Sequence, residues 1–155
     1  MKVKLNDLVE AIEFQSDESQ SFIHLKTGEI YLISNEAIHI AEDDGDDYPD
    51  WQEGDIKIAK DYLENENDYL ALPSQHEANE YQMMEYFAAN IDDEKIAGQL
   101  LISLQGKGAF RRFKDSVILL GIDKEWYKFR DEKYKQFASE WCEENKIDLI
   151  DKKDA

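Results

Sequence analysis

Two β-rich runs between Phe22 and Ile33 flank the dipeptide Thr27-Gly28. Glycine supplies the positive φ that a tight hairpin turn requires, so this stretch carries the strongest strand signal of the chain. A two-stranded hairpin is marginal in water. Its apolar face must therefore lie on helices or on another strand. Tyr69-Leu70-Ala71-Leu72 is short, apolar and stopped by Pro73, which suits a third strand beside the hairpin. The remaining periodicity is helical. These features predict a single α+β domain over residues 1–147, mostly helical, with a small antiparallel sheet built on the hairpin. Residues 148–155 read as a polar, frayed tail.

Caps and apolar spacing predict the helices. Asn6 caps a first helix carrying Leu5, Leu8, Val9 and Ile12, and Ser34 caps one with Ala37, Ile38 and Ala41. Asp50 to Glu53, preceded by Pro49, resembles a capping box for a helix burying Trp51, Ile56, Ala59, Tyr62 and Leu63. Ser74 to Glu77 forms a second box, before a helix with Tyr81, Met84, Phe87 and Ala88 on one face. Asp92 caps the next, with Ile96, Leu100, Leu101 and Leu104, and Gly121 ends the one after it. Asp123 caps the last helix, whose aromatic face collects Trp126, Tyr127, Tyr134, Phe137, Ala138 and Trp141. Arg130 falls inside that stripe and must stack on rings or pair with a carboxylate, because an unpaired buried charge costs several kcal/mol.

Composition narrows the function classes. The chain holds 36 acidic and 18 basic residues, a net charge of -18, yet 42% of it is hydrophobic. That much apolar content supports a folded core, and the charge opposes general binding to nucleic-acid backbones or anionic membranes. Cys142 is the single cysteine, so no internal disulfide and no thiolate metal cluster forms; it reads as an inert, semi-buried thiol. The first residues lack the apolar run of a signal peptide, and no stretch is apolar enough to span a bilayer, which points to the cytoplasm. The acidic segment Glu42 to Asp50 invites a calcium reading. Gly45 does not occupy the sixth position of an EF-hand loop, however, and the twelfth-position glutamate is missing, so a solvated loop is expected. His24, His39 and His76 are scattered, with no HExxH pair, nucleophile elbow or dinucleotide fingerprint. The sequence thus names no catalytic residue, metal ligand or cofactor.

One stretch departs from this acidity. Lys107, Arg111, Arg112 and Lys114 fall within eight positions of the run Gly106 to Asp115, with no acidic residue between them. A glycine turn feeding a helix leaves free N–H groups and the positive end of the helix dipole together. Phe110, Phe113, Val117 and Leu120 form the buried stripe of that helix, leaving Arg111 outside it. On one reading the glycines make a helix–helix turn and the cations neutralise the protein's own carboxylates. On the other, Lys107, Gly108, Arg111, Arg112 and Lys114 bind an anion or a partner. The second reading yields a non-enzymatic interaction or regulatory module with a protein partner. RNA or nucleotide-phosphate binding through the same cluster is the alternative, and an enzyme of unrecognised type is a third.

The Thr27-Gly28-Glu29 hairpin, Ala71 to Ser74, Tyr81 to Phe87 and Gly106 to Asp115 together carry a resemblance, joined by Trp126 to Asp131 and Trp141 to Asn145. The chain resembles the bacterial uncharacterised protein family zero-one-five-eight over nearly its whole length. The resemblance implies a small bacterial cytoplasmic protein and brings no assigned activity, cofactor or catalytic residue.

Overall fold

Gly28 takes the positive φ expected of it, 79°. Around it β2 (Ser19–His24) and β3 (Ile30–Ser34) pair antiparallel, with Ile23 opposite Ile30 and Ser19 opposite Ser34. The connection is longer than a two-residue turn. The His24 N–H donates to the Glu29 carbonyl and the Gly28 N–H to the His24 carbonyl, both at 2.8 Å. The predicted third strand forms as β4 (Tyr69–Ala71), antiparallel on the other side of β2, giving the order β3-β2-β4. The fold is α+β, mostly helical, with this small antiparallel sheet.

The structure, a computed structural model, describes residues 2–43 and 48–150. Residues 44–47, and with them the centre of the acidic segment read for calcium, lie outside the described residues, as do residues 151–155 of the expected tail. The chain divides into two compact units, Met1–Gln75 with Ala138–Ala155, and His76–Phe137.

The first is the sheet unit. It contains β1 (Lys2–Val3), α1 (Leu5–Glu13), the three-stranded sheet, α2 (Asn35–Glu42) and α3 (Glu53–Glu64). Phe22, Ile33 and Tyr69 on one face of the sheet pack with Ala37 and Ala41 of α2 and with Ile56 and Ala59 of α3. On the α1 side the Ser21 hydroxyl donates to the Ala11 carbonyl at 2.9 Å, and Leu8, Val9 and Ile12 are buried. Ser34 caps α2 as predicted, accepting the Ala37 N–H at 3.1 Å. Three expectations need correction. Lys4 occupies the N-cap position of α1 in place of Asn6, because the helix begins two residues earlier, at Leu5. Trp51 is 77% exposed: Asp50–Gln52 form a 3-10 turn, α3 starts only at Glu53, and the buried stripe begins at Ile56. Asp148–Leu149 do not fray but form β5, parallel to β1, and the Ile150 N–H donates to the Val3 carbonyl at 2.9 Å.

The second is the helical unit. The box at Ser74 to Glu77 sustains only the single turn α4 (Gln75–Ala78), because Asn79 adopts φ 57°. The Asn79 side chain then accepts the Gln82 N–H at 3.2 Å and starts α5 (Glu80–Ala89). Asp93, one residue after the predicted cap, accepts the Lys95 and Ile96 N–H groups and starts α6 (Glu94–Ser103). α7 (Ala109–Leu119) ends in a Schellman motif, with Gly121 N–H to Ile118 and Ile122 N–H to Val117. α8 (Asp123–Glu144) follows, with its residues through Phe137 in this unit. Phe113 and Trp126 meet edge to face at 4.9 Å, with Phe87 and Phe129 against the indole. Phe110 and Tyr127, placed in buried stripes by the sequence, are largely exposed, and Ala109 is buried at the start of α7 instead. Arg130 does both things required of it: its Nε donates to Glu80 at 2.5 Å, and its guanidinium lies 4.7 Å from the Tyr134 ring centre.

Candidate functional site

The basic run forms the corner between α6 and α7, inside the helical unit. Its two halves have different jobs. Arg112 folds back: Nε donates to the Ser103 carbonyl at 3.1 Å, and the terminal nitrogens donate to the carbonyls of Lys107 and Gln105. A cation is well placed there, because the last carbonyls of α6 carry the negative end of the helix dipole. Gly108 sits at φ 76° as the N-cap residue of α7, and a Cβ on it would meet an Arg112 terminal nitrogen at 3.2 Å. Gly108 and Arg112 are therefore accounted for by the turn itself.

Lys107, Arg111 and Lys114 are exposed. The cations were expected on one reading to be neutralised by carboxylates, but among the described residues none of these three has a carboxylate within 4.0 Å. The acid-free interval is longer than the run itself: residues 95–114 contain five cations and no acidic residue. Charge divides sharply along the chain. The helical unit has 11 acidic and 10 basic side chains; the sheet unit has 25 and 8.

Apolar side chains accompany the free cations. Arg111, Lys114, Asp115 and Ile118 follow helical spacing on the outer face of α7, where Ile118 is exposed and Leu119 is 86% exposed. At its edge Phe110 rests near Tyr81, ring centres 6.3 Å apart, and the Tyr81 hydroxyl donates to the Leu104 carbonyl at 2.8 Å. The start of α7 has no side-chain cap, so its first N–H groups lack a side-chain acceptor. Such a face can hold carboxylates or phosphates at its basic end and apolar groups at the other.

No comparable chemistry gathers elsewhere in the described residues. No group of three or more His, Cys, Asp or Glu side chains there could hold a metal ion. His24 packs edge-on against Tyr69, while His39 lies in α2 and His76 in α4. Burial pushes the Cys142 thiol up to about 11, in line with an inert side chain. The Tyr69 hydroxyl is raised too, first by burial and then by its hydrogen bond to Asp61. Sequence reasoning missed one surface feature, an open groove of about 660 Å³ in the sheet unit between α1 and β3. Its walls come from segments far apart in the chain, so no local pattern announced it.

The family model of an uncharacterised protein family (UPF0158) matches residues 1–155. The chain belongs to this family. Membership accounts for the whole length and attaches no activity to the α6–α7 corner. No curated protein and no solved structure matches the chain. Among the described residues, no helix is long and apolar enough to cross a membrane.

Proposed function

We propose that this member of the family is a non-enzymatic, cytoplasmic interaction module whose contact surface is the corner of α6 and α7. One observation carries the reading. Three cations stay exposed and without a carboxylate partner among the described residues, although acidic side chains outnumber basic ones two to one. The neighbouring Phe110, Ile118 and Leu119 add exposed apolar area, which a protein partner can bury and a phosphate backbone cannot use. Net charge of -18 also slows any approach of nucleic acid. Cytoplasmic placement is supported by the single cysteine, which is buried as a free thiol.

The test is quantitative capture from native lysate, comparing the wild-type chain with Lys107→Ala/Arg111→Ala across a salt series. A protein partner should be retained by the wild type and held about tenfold less by the double variant. Equal retention by both proteins removes the contact surface. Recovery of nucleic acid with a steep log-linear loss in salt would replace the protein partner by a phosphate backbone.

A further inference from the structure

Among the described residues the outer edge of β3 is unpaired, and the register fixes which of its groups point outward. His24 N–H donates to Glu29 and Asn35 N–H donates to Glu18, so in β3 the residues bonded to β2 are the odd-numbered ones, Tyr31 and Ile33. The N–H and C=O groups of Ile30 and Leu32 therefore point out of the sheet. Among the described residues no strand lies beyond them. Edge strands are commonly blunted by charge, proline or a bulge. Ile30–Ser34 contains no charged residue and no proline.

The groove runs beside this edge. Ile30 and Leu32 stand on the same face as their cross-strand partners Ile23 and Ser21, the face toward α1. Leu32 is 50% exposed, and Phe14, just past the end of α1, is 70% exposed across from it. Asp7 and Glu10 of α1 and Glu29 of the hairpin turn line the groove, with Lys2 and Lys4 among its other walls. Asp7, Glu10 and Glu29 have no cationic partner within 4.0 Å among the described residues.

We infer that the β3 edge accepts an extended basic segment of another protein as a fourth strand. Its backbone pairs with Ile30 and Leu32. Side chains on the α1 side of the added strand enter the groove, apolar ones over Leu32 and Phe14 and a Lys or Arg toward Asp7 and Glu10, while the intervening side chains lie on the opposite face, where a basic one meets Glu29. Main-chain pairing gives the affinity of such an addition, and the pockets for alternate side chains give its selectivity. The choice of a basic occupant follows from charge: three carboxylates against two lysines in the groove, within a unit holding 25 acidic and 8 basic side chains. This site is independent of the α6–α7 corner.

The probe is a capped synthetic heptapeptide, Val-Lys-Lys-Lys-Val-Lys-Val, whose odd-numbered face carries valines with one lysine and whose other face is all lysine, added to the full chain. Binding is read by fluorescence anisotropy and by amide hydrogen exchange resolved to single residues. The peptide should slow exchange at Ile30 and Leu32 and leave Tyr31 and Ile33, already bonded to β2, unchanged. Leu32→Pro deletes an outward N–H without removing a bond to β2, and it should weaken the peptide about tenfold or more. Asp7→Asn with Glu10→Gln should weaken it and flatten its salt dependence. A peptide N-methylated on the nitrogens that face β3 should not bind, which tests strand pairing without altering the protein. The proposal is overturned if exchange at Ile30 and Leu32 is unchanged up to about 1 mM peptide. Equal binding of the N-methylated peptide also overturns it, as does a free chain that is already dimeric with both amides protected, which would make the occupant a second copy.

Discussion

Trp126 and Trp51, taken from different units, show two different ways in which this chain places a large aromatic side chain. Trp126 in the helical unit is 0% exposed, ringed by Phe87, Phe113 and Phe129, while Trp51 in the sheet unit is 77% exposed on a 3-10 turn. The contrast extends to charge. In the helical unit acidic and basic side chains nearly balance, and it contains the Arg130–Glu80 pair. The sheet unit carries 25 acidic side chains against 8 basic, and its core is held by aliphatic side chains, Phe22 and tyrosines around three short strands. In the near-neutral helical unit, Lys107, Arg111 and Lys114 have no carboxylate within 4.0 Å among the described residues. Excess negative charge gives the sheet unit a field that attracts cationic groups and repels anionic ones.

Three substitutions can break or sharpen this contrast. The largest effect belongs to Trp126→Ala, which empties the centre of the aromatic cluster and should cost about 3–5 kcal/mol by chemical denaturation. A loss under about 1 kcal/mol would mean that the four rings do not form one packed unit. Arg130→Ala comes next. It leaves the Glu80 carboxylate, whose side chain is 12% exposed, without its closest cation. Arg130 retains 24% exposure, so the cost should fall to about 2–3 kcal/mol, below that of a fully buried pair. The smallest is Trp51→Ala, expected to stay within about 0.5 kcal/mol of wild type. A larger loss there would put Trp51 in a core and dissolve the comparison.

Much of this architecture was legible because local chemistry decided it. Gly28, the Ser34 cap and Pro73 after β4 each act within a few residues of themselves, and each produced the predicted element. Arg130 was legible for a different reason: a charge inside an apolar stripe has very few solutions, and Glu80 with Tyr134 supplies two of them. Errors arose where neighbouring caps compete. Asp92 and Asp93 offer the same carboxylate chemistry, and only the path of the incoming chain selects Asp93. The same holds at Asn79, where a left-handed residue splits a helix that the Ser74 box alone would have continued. In the basic run, sequence grouped Arg112 with Lys107, Arg111 and Lys114, since all four are cations. Only geometry separates the one that clasps carbonyls from the three that face outward. Asp148–Leu149 and the β3 groove were illegible, because their partners lie far away in sequence.

Cys142 has a practical consequence for anyone handling this protein. It is the chain's sole thiol, 1% exposed, and burial holds its proton until about pH 11. Near neutral pH the native thiol should therefore react slowly with alkylating reagents, and labelling should report excursions that uncover the end of α8. Above pH 9 the balance tips, since an opened chain surrenders that proton more readily than the native one and alkali favours opening. A reporter cysteine placed on the surface can be tagged selectively beside it, and the native sulfur serves as a built-in clock for the molecule's own breathing.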